Sequence, residues 1–176
     1  MNTQEYVILV DEQDNEIGIA EKLEAHQLGK LHRAFSVFVI RQRHGKLQIL
    51  LQQRQHDKYH SPGLWTNTCC SHPMPGEPVA QAAHRRLQQE MGIDVNLHEI
   101  ACFHYTADVG AGLIENEVDH VFVGQFEDDY VPFNVKEVAN YQWMDADKLV
   151  TDLKENPQKY TAWFEEALIL VLQKPR

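Results

Sequence analysis

Cysteine is scarce in this chain, with three residues in 176. An odd count with no regular spacing supplies no disulfide framework and points to a reducing, cytoplasmic setting. Long apolar runs are missing as well. None approaches the roughly 20 residues that a membrane-spanning helix needs, so no membrane partner is expected. The opening Met1-Asn2-Thr3-Gln4-Glu5 has neither the charged start nor the apolar stretch of a secretion signal. Basic charge is outnumbered: 16 Lys and Arg against 26 Asp and Glu give a net charge of -10. A nucleic-acid surface needs a basic stripe, which argues against that class of partner. A small anionic ligand stays open, because a few local cations outweigh a global deficit.

What is present is a globular composition, 43% hydrophobic. No repeat, low-complexity segment or linker divides the chain, so one domain over residues 1–176 is expected. Residues 6–10 and 17–20 bracket a turn-like 11–16 and read as a hairpin. Residues 26–32 read as a short polar loop. Apolar runs at 35–40 and 47–53 flank a turn at Gly45, and 65–69 reads as a short strand after Pro62-Gly63. The clearest helix lies between Gly76 and Gly92, with Pro78 in its first turn and Val79, Ala83, Leu87 and Met91 on its buried stripe. Strands are expected at 99–105, 114–126 and 141–144, and helices at 146–153 and 158–172. Strands interspersed with helices predict an α/β (α+β) layered domain on a mixed sheet.

Two stretches carry chemistry. Trp65-Thr66-Asn67-Thr68-Cys69-Cys70-Ser71-His72-Pro73 sets a thiol beside an imidazole. Glu115-Asn116-Glu117 lies in an otherwise apolar strand, and alternation along a strand turns both carboxylates to one face. Two acids on one face repel unless a cation or a shared proton offsets the repulsion. An edge strand with one wet face is the competing reading. Four of the ten histidines stand near these stretches or near one another: His26, His32, His72 and His120. His26, His32, His72, Glu115 and Glu117 together offer three imidazoles and two carboxylates, a set suited to Zn²⁺, Mn²⁺, Fe²⁺ or Co²⁺. Each histidine taken singly reads as a surface residue or a satisfied core residue. Cys70 is open to two readings, nucleophile or small buried hydrophobe, and Cys69 should point the opposite way. Lys22, Arg54, Lys58, Arg85 and Arg86 are available to hold an anion, though each alone reads as a solvated charge. Trp163 alone reads as core.

Taken together, the Trp-Thr-Asn…Cys-x-His-Pro string, the helix from Gly76 to Gly92 and Glu115-Asn116-Glu117-Val118 resemble the type I isopentenyl-diphosphate isomerases, which have a Nudix-type fold. The likeness runs along nearly the whole chain, including Leu31-His32-Arg33-Ala34-Phe35-Ser36 and Tyr141-Gln142-Trp143. Aligned on Gly92, the Nudix box keeps Glu77, Arg85, Leu87 and Glu90. It has Arg86 and Gln89 where hydrolases place metal-binding glutamates, and Ser71 where the first glycine belongs.

The resemblance implies a Nudix-like mixed sheet sandwiched by helices. It implies interconversion of isopentenyl and dimethylallyl diphosphate through a tertiary carbocation, with Cys70, Glu117 and Tyr105 as catalytic residues. It places a divalent transition metal, Mn²⁺ or Zn²⁺, on His26, His32, His72, Glu115 and Glu117. It places a second ion, Mg²⁺ carried with the substrate diphosphate, at Glu90 and Cys70. It gives Lys22, Arg54, Lys58 and Arg86 to the diphosphate and Trp163 to the cation. The partner is a small allylic or homoallylic diphosphate, and the state monomer or homodimer. The competing enzyme is a Nudix pyrophosphohydrolase acting on a nucleoside diphosphate derivative. The competing non-enzyme is a metal-storage or metal-sensing module.

Overall fold

The computed structural model describes residues 5–174. Residues 1–4, where most of the secretion-signal reading falls, lie outside the described residues, as do 175 and 176. Strands β1 (Tyr6–Val10) and β2 (Glu16–Glu21) form the expected hairpin. Its turn is held by the Asp11 carboxylate, whose Oδ1 accepts the N–H groups of Gln13 and Asn15 at 2.9 Å. A two-turn helix, α1 (Lys22–Leu28), follows at once. It replaces the polar loop expected over 26–32. Its stop signal was in the sequence: Gly29 takes a left-handed φ of 64° and its N–H returns to Ala25 O.

The spine of the sheet is β3 (His32–Arg43), 12 residues long. One of its edges pairs in parallel with β8 (Leu113–Gln125), His32 opposite Glu117. The other edge meets β1 at His32, then β6 (Cys69–Ser71) at Phe35 to Val37, then β4 (Lys46–Arg54) at 40–43. Beyond β8 lies β7 (His98–Gly110), and beyond β4 lie β5 (Trp65–Thr66) and β9 (Val138–Asp145). β8 is therefore interior from Glu117 onward, and Glu115, just short of the β3 ladder, is buried all the same, so the wet-edge reading of the two acids does not hold.

The single strand expected at 65–69 is two short pieces. Asn67 Nδ2 donates to Val37 O and Cys69 O, and Thr68 Oγ1 donates to Leu50 O while accepting Val39 N–H. These side chains take over backbone partners at the point where the chain passes from β4 to β3, so the ladder breaks there. Helix α2 (Val79–Met91) fits the expected span, with Pro78 as N-cap and Gly92 at φ 67° past its end. A Cβ on Gly92 would lie 2.5 Å from Pro132 O, so only glycine closes this helix without a shift. α3 (Ala146–Glu155) also follows expectation. The helix expected over 158–172 does not run through. A 3-10 turn at Pro157–Lys159 gives way to extended Tyr160, which bridges to Trp65, and α4 (Phe164–Gln173) starts only afterwards. The Thr161 N–H goes to Trp65 O at 3.0 Å, which draws this segment out of helical pairing.

The two faces of the sheet carry two cores. Phe35, Val37, Val39 and Leu50 pack against Ala83, Leu87 and Met91 of α2. Phe38, Ile40, Ile49 and Leu51 pack against Leu149 of α3 and Phe164, Leu168 and Val171 of α4. The result is a mixed sheet between helices. Alternation along β3 decides which residues face which layer.

Candidate active site and metal centre

Register, rather than sequence proximity, assembles the site. Glu115 and Glu117 project from one face of β8, and both are nearly inaccessible, at 2% and 5%. The parallel ladder sets His32 opposite Glu117, and the antiparallel ladder sets Tyr105 of β7 there from the other side. His26 arrives on α1 and His72 follows β6. Glu117 Oε2 lies 3.0 Å from His32 Nε2 and 2.7 Å from His72 Nε2, while its Oε1 accepts the Tyr105 hydroxyl. Glu115 Oε1 lies 3.2 Å from His26 Nε2.

One ligand atom from each of His26, His32, His72, Glu115 and Glu117 can be chosen so that all lie within 4.8 Å of one another. Hydrogen placement argues for a cation among them. His26 Nδ1 meets Lys22 O at 2.7 Å, and His32 Nδ1 meets Lys30 O at 2.8 Å. A carbonyl only accepts, so each Nδ1 carries the hydrogen, and in the neutral ring Nε2 aims a lone pair at a carboxylate. Two acceptors in such contact need a proton or a metal between them. Glu115 Oε2 is moreover buried with no partner. Three imidazoles and two carboxylates with a bare oxygen fit a borderline divalent ion.

The electrostatics are those of a desolvated pocket. Burial pushes His72 down to about 4 against the pull of Glu117. Burial likewise lowers His32, but the hydrogen bond and charge of Glu117 outweigh it and raise the ring overall. Burial would raise Glu115, but its contacts with the His26 and His60 rings hold it well below the usual carboxylate range. Burial drives the Cys70 thiol and the Tyr105 phenol up, so both keep their protons at neutral pH.

These residues surround a cavity of about 70 Å³, lined among others by Cys70, His72, Tyr105, Glu115, Glu117 and Trp163. Lys22, Arg54, Lys58, Arg86 and Glu90 line it too. The cations are held by acids or carbonyls: Lys22 by Glu5 at 2.9 Å, Lys58 by Glu137 at 3.2 Å, Arg86 by Glu90 at 2.9 Å. Arg54 donates to His60 O and Ser61 O and lies 5.6 Å from the Trp163 ring centre. Glu90 also accepts Gln52 Nε2 at 3.2 Å and lies 3.4 Å from Cys69 Sγ. Cys69 is fully buried while Cys70 is half-buried, as alternation predicts. Ser71 is not among the positive-φ residues, and β6 runs through it in register, so serine fits this backbone.

Three placements differ from expectation or escaped it. His120 does not join the metal group: its ring sits between Asp14 at 2.8 Å and Glu99 at 2.6 Å, because β8 has turned it toward the β1–β2 turn. Trp163 is buried as core, at 4% exposed, but stands outside the helix stripe. It is the N-cap residue of α4, with its indole N–H donated to Asn67 Oδ1 at 3.3 Å. His60, which the sequence did not mark, lies 2.8 Å from Glu115 Oε1. Nothing in its local pattern separates it from a surface histidine.

Comparison with known proteins follows the same line. A NUDIX domain model matches residues 30–164. The chain is 47% identical over 169 residues to "Isopentenyl-diphosphate Delta-isomerase 2" of Aromatoleum aromaticum, covering 96% of this chain and 87% of that one. It is 44% identical over 176 residues to "Isopentenyl-diphosphate Delta-isomerase" of Photobacterium profundum, covering 99% and 98%. Among solved structures, DR0079 from Deinococcus radiodurans superposes with a TM-score of 0.75 at 16% identity, covering 97% of this chain and 100% of that chain. A MutT protein from Methanosarcina mazei does so at 0.64 and 18%, covering 83% and 96%. At those identities the two structures share the fold alone.

Proposed function

Given that the chain belongs to the isopentenyl-diphosphate Delta-isomerases of the NUDIX class, we propose that it interconverts isopentenyl and dimethylallyl diphosphate, with Cys70 and Glu117 as the proton-handling pair. A proton adds to the terminal CH2 carbon of the alkene, which leaves a tertiary carbocation. A proton then leaves the methylene that lies between the cationic carbon and the diphosphate-bearing carbon, and the double bond re-forms between that methylene and the cationic carbon, with no net change in atoms. An unactivated alkene needs a strong, positioned acid on one side and a base on the other. The observation that carries the reading is the placing of Cys70 on β6 and Glu117 on β8 in the walls of one small cavity.

Each residue then has a task. Cys70, held as a thiol by burial, keeps a proton next to the alkene. Glu117, bonded by the Tyr105 hydroxyl, exchanges the other, and the two swap roles with direction. Trp163 turns its ring toward the cation, a contact of about 1–2 kcal/mol when desolvated. The buried lining at Tyr105, Glu115, Glu117 and Trp163 limits access for the water that would trap the cation as an alcohol. A divalent ion on His26, His32, His72, Glu115 and Glu117 would supply a positive field that acidifies a proton held on Glu117. Lys22, Arg54, Lys58 and Arg86 line the cavity as contacts for the diphosphate, and Glu90 with Cys70 would hold a Mg²⁺ that offsets its charge. A remote anionic handle supplies binding energy for orientation at the reacting carbon.

The pyrophosphohydrolase reading is disfavoured by Arg86 and Gln89, which put a cation and an amide where a hydrolytic metal cluster needs carboxylates. Metal-defined protein, assayed with isopentenyl diphosphate and with a nucleotide panel, decides between them. Allylic product without phosphate release is expected. Nucleotide turnover without allylic product would overturn the proposal.

A further inference from the structure

His60 lies in the connection between β4 and β5 and is 5% exposed. Arg54 grips that connection by two carbonyls, His60 O at 3.1 Å and Ser61 O at 3.2 Å. Ser61 takes a left-handed φ of 50° at the bend. The imidazole Nδ1 stands 3.2 Å from Ser61 Oγ, and its Nε2 stands 2.8 Å from Glu115 Oε1. A serine hydroxyl is able to donate to Nδ1, which leaves the ring hydrogen on Nε2, directed at the carboxylate. His26 approaches the same oxygen with the opposite chemistry. Its Nδ1 hydrogen is committed to Lys22 O, so its Nε2 brings a lone pair. The two rings stack at 5.6 Å with 26° between their planes. His60 is absent from the five residues whose ligand atoms converge, although it touches one of them.

We propose that His60 is a positioning residue: its Nε2–H tethers Glu115 Oε1, so that the buried, unpartnered Oε2 is the oxygen presented to the divalent ion. This rests on the five-residue metal site proposed above. A carboxylate free at both oxygens rotates about its last torsion. One fixed by a donor on one side presents the other in a set direction, and loss of such an outer partner costs metal affinity. The same ring stands edge-on to Trp163 at 6.0 Å and 84°. His60 therefore also braces the aromatic wall against the side of the cavity that carries the ion.

The test is metal affinity of the apo protein, measured by competition between the protein and a chromophoric chelator for Co²⁺, Mn²⁺ or Zn²⁺. Three proteins are compared: wild type, His60→Phe, which keeps a ring but loses the donor, and His60→Gln, which restores an N–H. His60→Leu replaces the Phe variant where the larger ring crowds the cavity. The expected result is a loss of about 10–100-fold in affinity for Phe or Leu. Gln should recover most of it, and kcat should return toward wild type as metal is raised. Wild-type affinity in the Phe and Leu variants, or a Gln variant as weak as they are, overturns the role of His60. The underlying site fails separately: wild type that binds no metal, or binding untouched by Glu115→Gln, sinks the five-ligand reading whatever His60 does.

Discussion

Replacing Asn67 with alanine is expected to destabilise the protein and unseat the cavity's aromatic wall together. Asn67 is fully buried and uses all of its side-chain hydrogen-bonding groups. Its Oδ1 accepts Thr66 Oγ1 at 2.8 Å and Trp163 Nε1 at 3.3 Å. Its Nδ2 donates to Val37 O at 3.1 Å and Cys69 O at 2.8 Å. Alanine leaves the indole N–H without an acceptor in a dry interior, while the Thr66 hydroxyl can turn its hydrogen to Thr161 Oγ1 at 2.8 Å. Each orphaned donor costs about 1–3 kcal/mol. The two carbonyls lose less, because each has a second lone pair for the ladder. One orphaned donor and three weakened partners together cost about 2–4 kcal/mol, out of a usual total of about 5–15 kcal/mol. Urea unfolding should show a lower midpoint at an unchanged slope. The near-ultraviolet signal of Trp163 should broaden, and kcat should fall more than the affinity for substrate, since the indole serves the cation and not the diphosphate. A loss under about 1 kcal/mol would refute the reasoning, because it would mean those partners are satisfied some other way.

Further outcomes follow from the same geometry. Glu117→Gln removes the charge shared by His32 and His72. It should weaken metal binding and cut isomerisation by about 10²–10⁴-fold, and full activity with full metal content would contradict the assignment. His120 is raised to about 9: burial opposes the charge, but partners including Glu99, Cys102 and Asp14 outweigh it. Because that value lies above the unfolded one of about 6.5, its stabilisation is complete below pH 6.5 and fades as pH rises through about 9. His120→Gln should therefore lower Tm at pH 6 and leave it nearly unchanged at pH 10, and an equal loss at both would refute the pairing. Lys58→Met removes a cavity-lining cation held at 3.2 Å by Glu137, so KM for the diphosphate should rise with kcat less affected. A change in kcat alone would move Lys58 out of the anion contact.

Local chemistry made some elements legible and hid others. Helix α2 declared itself through its apolar stripe and Gly92, and the turn after β3 through Gly45, because both signals lie within a few residues. α1 was lost although Gly29 marked its end, since the helix begins without any side-chain cap and has only seven residues to show a period. The break at Tyr160 was invisible because its cause, the strand contact of Trp65, comes from far along the chain. The facing of Glu115 and Glu117 followed from alternation alone. What gathers round them depends on the register of β8 with β3 and β7, which no periodicity encodes. The motif string tied Cys70 and His72 to the acids before any coordinates did, through family likeness rather than physical spacing. His60 has neither a motif nor a local pattern, and only the folded path of the β4–β5 connection brings it to Glu115.

The central claim is that a thiol on β6 and a carboxylate on β8 handle protons at one alkene. Solvent deuterium incorporation measures this most directly, with metal-loaded wild type, Cys70→Ala and Glu117→Gln each incubated with isopentenyl diphosphate in D2O. Label is expected in the wild-type product, with turnover reduced about 10²–10⁴-fold in both variants. Wild-type rates of incorporation in Cys70→Ala would contradict the claim.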